Sequence, residues 1–287
     1  MARAVKGMME IRVMPGPQWD FVMSEARHPA LFSGIRGGKT VGSVIKAFKY
    51  INEHPGANGI LVAPTYKQVE GALLATFRQF FSGLENVVWF WKEAKSKIVL
   101  PKLDSTIWLM ASEAVETIRG FTNIAFFGQD ECREPQQEHA FLILQGRLSQ
   151  EGYPHQGWVT STPAGARHWL YKRWITPEAM GLDRADYPVF RAKTAENYHL
   201  DPKSIESWRQ SYGATRWAAQ ELEGEFVIFE GQAYPQFDEK THVREPPEEG
   251  LSRHIVGMDF GVVAPTALLE GARDKSGRVF ITKEFYK

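Results

Sequence analysis

Apolar and polar positions alternate along most of the chain in a way that predicts alternating strands and helices. Each short apolar run is followed by a stretch in which apolar residues recur with the spacing of a helix face. A strand followed by a helix, repeated several times, predicts a mostly parallel sheet with helices on its faces. The runs lie at 30–32, 59–65, 123–131 and 157–163, and the helical stretches at 41–50, 66–81, 134–150 and 164–174.

Two stretches depart from this alternation. Residues 97–101 and 105–110 are predicted to be strands around a tight turn, which makes a hairpin inserted in the sheet. Residues 237–250 are rich in charge and proline and are predicted to be a linker. Antiparallel strands are expected after it, at 254–261, 266–271 and 277–285. The expected organisation is a first domain over 1–240, a linker over 241–252 and a second region over 253–287.

Composition narrows the class of protein. With 287 residues, 43% of them apolar, the chain is long enough for about two packed domains. No run approaches the ~18 apolar residues that a membrane span needs, and the N-terminus lacks the apolar core of a signal peptide. A single cysteine, Cys132, excludes an internal disulfide and fits a reducing cytoplasm. The 34 basic and 34 acidic side chains balance, which argues against a generally basic nucleic-acid coat but allows a local basic surface or a charged channel.

A glycine-rich loop follows the first apolar run. Its sequence, Ser-Gly-Ile-Arg-Gly-Gly-Lys-Thr at 33–40, is typical of a phosphate-binding loop between a strand and a helix. The glycines allow backbone N–H groups to converge on a phosphate, and the following helix directs the positive end of its dipole there. Lys39 is expected to reach the β- and γ-phosphates, and Thr40 to offer its hydroxyl to Mg²⁺. Because Ser33 replaces the usual first glycine, a surface turn before an amphipathic helix is the alternative.

Gln18 lies a short distance ahead of this loop. Residues 15–19 are predicted to form a turn and 20–27 a short helix. In several nucleotide motors a glutamine so placed contacts adenine, since its amide can both donate and accept; the alternative is a turn residue. The candidate ATP-binding residues are therefore Gln18, Ser33, Gly34, Ile35, Arg36, Gly37, Gly38, Lys39 and Thr40.

Two adjacent carboxylates, Asp130 and Glu131, end the third apolar run. That position matters because ligands bind at the C-terminal ends of the strands in a parallel sheet. Asp130 is expected to help hold hydrated Mg²⁺, and Glu131 to orient and polarise the attacking water. Gly128 and Gln129 interrupt the apolar run just before the pair, and the alternative is an ordinary Asp-Glu turn after a core strand.

Small hydroxyl residues end the fourth apolar run, in the sequence Ser161-Thr162-Pro163. A hydroxyl beside a phosphate site can sense whether the γ-phosphate is present, because it can hydrogen-bond that phosphate or its water. The alternative is that these residues cap the N-terminus of the helix predicted over 164–174.

Several motifs agree in order and spacing with those of one protein family. They are 33–40, Trp-Leu-Met-Ala-Ser-Glu at 108–113, Ile-Arg-Gly at 118–120, Asp-Glu at 130–131, Ser-Thr-Pro at 161–163, Glu-Gly-Glu-Phe at 223–226, Tyr-Pro-Gln-Phe at 234–237 and Gly-Met-Asp-Phe-Gly at 257–261. Together, over nearly the whole chain, they resemble the large terminase subunit of tailed bacteriophages. That subunit is the ATP-driven motor that packages DNA into a preformed capsid.

The resemblance implies a P-loop ATPase domain of the additional-strand, catalytic-glutamate type. In such a domain Lys39 and Thr40 would bind ATP and Mg²⁺, with Asp130 as the acid of the second motif. Glu131 would be the catalytic glutamate. Residues 161–163 would couple hydrolysis to the movement of DNA.

The family's C-terminal domain is a nuclease with an RNase H-like fold and a cluster of acidic metal ligands. Asp259 matches the first of these ligands. The other acids are expected well beyond Lys287, so the chain is expected to carry only the opening of that domain, as a truncated form or as part of a longer product. Because a two-metal site needs several convergent carboxylates, no nuclease activity is expected of this chain.

Arginines are further candidates, because hydrolysis in ring ATPases usually needs a cation that neutralises charge on the γ-phosphoryl group. Arg36, inside the phosphate loop, could act within its own subunit. Arg119, just ahead of the strand that ends at Asp130, is favoured to act on the nucleotide of a neighbouring subunit. Arg147 is a third candidate, and for each of them a surface or interface salt bridge is the alternative.

The partners that the resemblance implies are double-stranded DNA, the portal protein, the small terminase subunit and further copies of the chain in a ring on the portal. No membrane is involved, and the expected location is the host bacterial cytoplasm and, transiently, the portal vertex of the procapsid. Two other functions stay open. One is a helicase-like P-loop nucleic-acid motor. The other is a non-hydrolysing, nucleotide-binding structural subunit of a capsid assembly, in which Ser33 or the broken strand before Asp130 has abolished turnover.

Overall fold

The computed structural model describes residues 2–5, 8–86, 88–134, 136–165, 168–213, 215–227, 242–243, 250–260 and 266–286. The chain divides into two compact units, Met1–Glu230 and Gly231–Lys287. Most of the linker predicted over 241–252 lies outside the described residues, as do the motif at 234–237 and Gly261.

The first unit is built on one large sheet. Its strands, with a separate N-terminal hairpin, are β1 Ala2–Val5, β2 Met8–Ile11, β3 Ala30–Ser33, β4 Asn58–Ala63, β5 Phe90–Lys92, β6 Lys97–Leu100, β7 Ser105–Ala111, β8 Phe126–Asp130, β9 Gln156–Ser161 and β10 Val189–Ala192. The hairpin is β1–β2, and the other eight strands form the sheet in the order β10-β3-β9-β8-β4-β7-β6-β5. Strands β10 to β7 pair in parallel, and β6 and β5 pair antiparallel at one edge. The predicted mostly parallel α/β sheet is therefore confirmed.

Helices lie along the chain between strands of the sheet, as the alternation predicts, with one more ahead of β3 and two more after β10. They are α1 Pro17–Met23, α2 Lys39–Glu53, α3 Tyr66–Gln68, α4 Ala75–Phe80, α5 Val115–Ile118, α6 Gln137–Gln145, α7 Pro202–Tyr212 and α8 Arg216–Glu221. A π-helical stretch, Val69–Leu74, joins α3 to α4, and the helix predicted over 164–174 is a π-helical turn, Tyr171–Ile175. Among the residues that the structure describes, no helix is long and apolar enough to cross a bilayer.

Successive residues of the central strands pack into two different hydrophobic clusters. In β3, Leu31 belongs to one cluster and Phe32 to the other, and in β8 the same holds for Phe126 and Phe127. Side chains in a strand point alternately to opposite faces, so a strand that is covered on both faces is apolar at every position. This arrangement explains the unbroken apolar runs in the sequence.

Strand β8 runs without a break through Gly128 and Gln129, which corrects the predicted interruption. A side chain at Gly128 would lie 2.5 Å from the indole nitrogen of Trp158, so the close approach of that ring requires glycine. Trp158 stacks on Phe126 with ring centroids 5.4 Å apart. The buried amide nitrogen of Gln129 donates to the carbonyl of Gln137 at 2.8 Å, which replaces the hydrogen bond that this nitrogen loses to water.

The turn predicted over 15–19 is wrong in its second half, because α1 begins at Pro17. Gly16 adopts a φ of 78° just ahead of the helix, and proline suits the first helical position because its missing N–H would have no partner there. Gln18 therefore lies on a helix. The hairpin predicted from 97–101 and 105–110 is confirmed as β6–β7, and β5 adds an edge strand that was not predicted.

The second unit contains a three-stranded antiparallel sheet in its described part. Its strands are β11 Ser252–Asp259, β12 Ala267–Arg273 and β13 Val279–Tyr286, in the order β11-β12-β13. The predicted antiparallel meander is confirmed. Its first strand begins one residue before the predicted start of the second region.

Candidate nucleotide-binding site

The phosphate loop joins the end of β3 to the start of α2. Ser33 is fully buried at the end of the strand, and its hydroxyl donates to the carbonyl of Gly34 at 2.9 Å. A side chain at Gly37 would collide with that of Ser33. A serine side chain therefore fits at position 33 because the residue at position 37 is a glycine, which has no side chain. Gly38 precedes α2 with a φ of 80°, a left-handed conformation that glycine adopts without strain.

Lys39 is the first residue of α2, and its side chain is buried over the loop. Its Nζ donates to the carbonyl of Gly34 at 3.0 Å and to Oγ1 of Thr162 at 3.2 Å. Burial lowers the pKa of Lys39, and the carboxylates of Glu131 and Asp130 partly offset this effect. The ammonium group is thus held between the ends of β3 and β9, close to both carboxylates.

Asp130 ends β8 with both carboxylate oxygens engaged by hydroxyl groups. Oγ1 of Thr40 donates to Oδ2 at 2.6 Å, and Oγ1 of Thr160 donates to Oδ1 at 2.6 Å. The distance between Thr40 and Asp130 confirms that helix α2 and strand β8 converge. Hard oxygen ligands of this kind fit Mg²⁺, which one or two protein oxygens usually hold together with substrate phosphates and water. Thr40 and Asp130 are therefore a suitable donor set for that ion.

Glu131 follows β8 directly and has a φ of 50°. This left-handed conformation is uncommon for a residue with a side chain, and such residues cluster at functional sites. Burial and the neighbouring Asp130 raise the pKa of Glu131, while the charges of Lys39 and Arg133 lower it in part. A carboxylate whose pKa is raised is a stronger proton acceptor, as a general base requires.

The three residues predicted to couple hydrolysis to movement lie at the end of β9, beside Lys39. Thr162 is buried and accepts the hydrogen bond from the ammonium group of Lys39. Ser161 donates from its hydroxyl to the carbonyl of Thr162 at 2.9 Å, and Pro163 is buried next to them. Thr162 is thus the member of this group that contacts the phosphate loop side chain.

Gln18 is buried against the loop rather than exposed to solvent. Its Oε1 accepts from the N–H of Met14 at 2.9 Å, and its Nε2 donates to the carbonyl of Gly38 at 2.7 Å. It also lines a cavity of about 740 Å³ beside the loop, with Val41, Phe80 and several polar residues. The amide therefore orders the end of the phosphate loop at the wall of a cavity large enough for the base and ribose of a nucleotide.

The three candidate arginines lie in different places. Arg36, with a φ of 52°, is exposed, and its guanidinium lies 5.7 Å from the ring centroid of Trp208. Arg119 pairs with Glu116 at 2.7 Å, and its carbonyl accepts from Arg147 at 2.9 Å. Arg119 and Arg147 lie near the start of β8, whereas Asp130 lies at its end. The backbone N–H groups of residues 149 and 150 donate to the carbonyl of residue 124, just ahead of this strand. Within one chain, neither of them is near the phosphate loop.

Sequence reasoning missed two charged residues at the site, Arg133 and Glu221. They form an ion pair at 2.7 Å, and their charges act on both Lys39 and Glu131. Arg133 lies two residues after Glu131, so it could have been predicted from the sequence to lie near the site. Glu221 comes from α8 and reaches the site only through the fold. Thr160 was missed for a different reason, because its role depends on the register between β8 and β9.

Asp259 lies in the second unit, at the end of β11, and its side chain is exposed. Its backbone pairs with Ala267 of β12. Within the described part of the chain, no group of three or more His, Cys, Asp or Glu side chains is arranged to hold a metal ion.

The sequence and the fold were compared with those of known proteins, and one protein family matches. Residues 31–241 match a family model described as terminase large subunit, T4likevirus-type, N-terminal. No curated protein sequence matches the chain. The large terminase of a thermophilic bacteriophage, in complex with ADP, superposes with a TM-score of 0.62 at 19% identity, over 96% of this chain and 68% of that one. The same protein in complex with ATP-γ-S gives a TM-score of 0.58 at 18% identity, over the same shares.

Two further solved structures have the same fold. The ATPase domain of the Thermus phage P74-26 large terminase gives a TM-score of 0.51 at 17% identity, over 73% of this chain and 92% of that domain. The HK97 bacteriophage large terminase gives a TM-score of 0.57 at 14% identity. This chain covers 96% of its own length in that match but 63% of the HK97 protein.

Proposed function

Because the chain belongs to the terminase large subunit family, T4likevirus-type, we propose that it is an ATP-hydrolysing motor subunit that moves double-stranded viral DNA into a phage procapsid. The observation that carries the proposal is the convergence of Lys39, Thr40, Asp130 and Glu131 at one edge of the sheet. Thr40 and Asp130 lie 2.6 Å apart, and Lys39 lies within electrostatic range of both acids. These are the groups that phosphoryl transfer from ATP to water needs.

In the proposed reaction, the backbone N–H groups of 34–40 and the N-terminus of α2 bind the phosphates of ATP. The ammonium of Lys39 moves from the carbonyl of Gly34 to oxygens of the β- and γ-phosphates. Thr40 and Asp130 hold Mg²⁺, which neutralises charge on the phosphate oxygens when it is bound. The base and ribose occupy the cavity that Gln18 lines.

Glu131 orients the attacking water in this scheme. Its carboxylate accepts a hydrogen bond from the water and, as the P–O bond to ADP breaks, a proton. Its raised pKa favours this role. Thr162 changes partner when Lys39 moves to the phosphates, so the end of β9 registers the presence of the γ-phosphate. We assign residues 161–163 to the step that couples this change to DNA.

We extend the proposal to the remaining assignments, which the family match over residues 31–241 supports. Residues 1–240 are the motor domain, 241–252 the linker and 253–287 belong to an RNase H-like domain, with Asp259 as its first acidic ligand. The partners are double-stranded DNA, held mainly through its phosphates, the portal protein, the small terminase subunit and other copies in a ring. Arg119 acts on a neighbouring subunit's nucleotide in that ring. The protein works in the host cytoplasm and at the portal vertex.

The proposal is tested by measuring Mg²⁺-dependent ATP hydrolysis at increasing protein concentration. Glu131→Gln is expected to bind ATP and to lower turnover at least ~100-fold, since a general base contributes 10²–10⁴-fold. Glu134→Gln, an exposed glutamate three residues later, is the matched control and should hydrolyse ATP normally. A rise in specific activity with concentration supports a shared site. Equal turnover by Glu131→Gln and the native chain would refute the assignment.

A further inference from the structure

The C-terminal end of the first unit crosses the phosphate loop. We call residues 215–225 the strap; it comprises α8 and the residues that follow. The N–H of Ile35, inside the loop, donates to the carbonyl of Glu221 at 2.6 Å, and the N–H of Thr194 donates to the carbonyl of Leu222 at 2.8 Å. The hydroxyl of Thr194 in turn donates to the carbonyl of Ile35 at 2.7 Å. Backbone groups of the loop and the strap are therefore directly joined.

Glycines on both sides make this contact close. A side chain at Gly34 would lie 2.6 Å from the carbonyl oxygen of Leu222. Gly224, with a φ of 67°, brings the strap against Ser33, and a side chain there would lie 3.1 Å from the Cα of that residue. Because backbone meets backbone, the loop cannot change shape without a matching change in the strap.

Glu221 connects the strap to the carboxylate end of the site as well. Its side chain is buried, and Oε1 accepts from Nη1 of Arg133 at 2.7 Å. The same oxygen also accepts from the amide of Gln220, on the same helix, at 3.1 Å. Arg133 follows Glu131 by two residues, so one side chain of the strap is paired with the segment that carries the proposed general base.

The charges at this point favour an exchange of partners. Lys39 and Arg133 are the cations, and Asp130, Glu131 and Glu221 are the anions that act on them. A γ-phosphate placed beside Lys39 adds negative charge within range of Arg133. Phosphate oxygens compete strongly for a guanidinium, because the planar group can donate two parallel hydrogen bonds to them.

We propose that Arg133 and Glu221 form a latch through which the strap reads the γ-phosphate: Arg133 is shared between Glu221 and that phosphate, and its transfer to the phosphate releases Glu221. The inference rests on the proposed ATPase function. Arg133 then contacts the reacting group within its own subunit, and Glu221 is a positioning residue that acts through Arg133. The released strap loosens its hold on Ile35 and transmits the change along the chain.

Nucleotide binding tests the latch because its two members should act in opposite directions. The probes are ATP-γ-S and ADP with Mg²⁺, bound to the full chain. Arg133→Gln is expected to weaken ATP-γ-S binding about tenfold or more, because the variant loses the hydrogen bond from the guanidinium to the charged γ-phosphate group. ADP has no γ-phosphate, so its binding should change less than about twofold. Glu221→Gln frees Arg133 and is expected to strengthen ATP-γ-S binding about threefold or more.

A nearby ion pair supplies the control. Glu223 of the strap pairs at 2.9 Å with Lys193, which follows β10, and both side chains are accessible to solvent, so Glu223→Gln should leave both affinities unchanged. A purely structural role of the Arg133–Glu221 pair would shift both variants in the same direction and would affect ADP equally. That result would overturn the latch.

Amide hydrogen exchange can be measured on the native protein, so it tests the latch even if a variant does not fold. ATP-γ-S is expected to speed amide exchange in 215–225 relative to ADP, and equal exchange with the two nucleotides would refute the latch. Failure of the native chain to bind either nucleotide would instead refute the proposed function. Binding of both without any difference at the strap would leave the ATPase proposal standing and remove only the latch.

Discussion

His28 gives the first unit a specific sensitivity to acid. The ring is buried between Phe141 and Tyr187, and both of its nitrogens have partners. Nδ1 lies 3.0 Å from the carbonyl of Gly157, and Nε2 lies 3.1 Å from the amide nitrogen of Gln145. A neutral imidazole satisfies both contacts, with Nδ1 as the donor and Nε2 as the acceptor. Burial is the main cause that lowers the pKa of His28 to about 4.

The sign and size of the effect follow from this pKa. The unfolded chain binds the proton near pH 6.5 and the folded protein only near pH 4, so stability is lost as the pH falls through this interval. The full loss is about 3 kcal/mol, and about 2 kcal/mol of it falls between pH 7 and pH 5. Well above pH 6.5 the histidine is neutral in both states and has no further effect.

Urea unfolding at pH 7 and pH 5, followed by tryptophan fluorescence, measures this loss. All tryptophans lie between Trp19 and Trp217, so the signal reports the first unit alone. His28→Asn can keep a donor to Gly157 but does not titrate, and its free energy of unfolding should fall by about 2 kcal/mol less than that of the native chain over this interval. Parallel losses in the two proteins would refute the reasoning.

Two further substitutions test the geometry of the site. Thr160→Val removes the hydroxyl that holds one oxygen of Asp130, and the Mg²⁺ concentration for half-maximal hydrolysis should rise about tenfold. Thr117→Val, which removes an exposed hydroxyl, is the control. An unchanged Mg²⁺ requirement in Thr160→Val would contradict the role of Thr160. Gly34→Ala pushes a methyl group into backbone carbonyls of the strap and should lower the free energy of unfolding by about 1–3 kcal/mol. Gly71→Ala, which meets no atom within 4 Å, should not destabilise the protein, and equal losses in urea would contradict the packing argument.

Much of the fold could be predicted because it depends on local patterns. The apolar runs predict β3, β4, β8 and β9 since these strands are covered on both faces, and the glycine-rich loop predicts the junction with α2. The convergence of Thr40 with Asp130 follows from the rule that ligands bind at the C-terminal ends of parallel strands. The resemblance to the family, which rests on the order of the motifs, added the expected roles of the residues in them.

Other features depend on packing between distant segments, which no local pattern records. The interruption at Gly128 was misread because the indole of Trp158, which explains the glycine, comes from another strand. Glu221 could not be assigned to the site because α8 reaches it only after the sheet has formed. The place of Arg119 could not be predicted from its closeness in sequence to Asp130, because the fold puts it near the start of β8 and Asp130 at the end of that strand; its action on a neighbouring subunit's nucleotide stays a prediction.

The contact between Ile35 and the strap has a consequence for synthesis of the protein. The loop is made early, but its partner carbonyl at residue 221 leaves the ribosome only when most of the first unit is already outside. Contacts between residues so far apart in sequence form late, because their loop-closure entropy must be offset first. The nucleotide site with the strap in place is therefore complete only after residue 221 has left the ribosome.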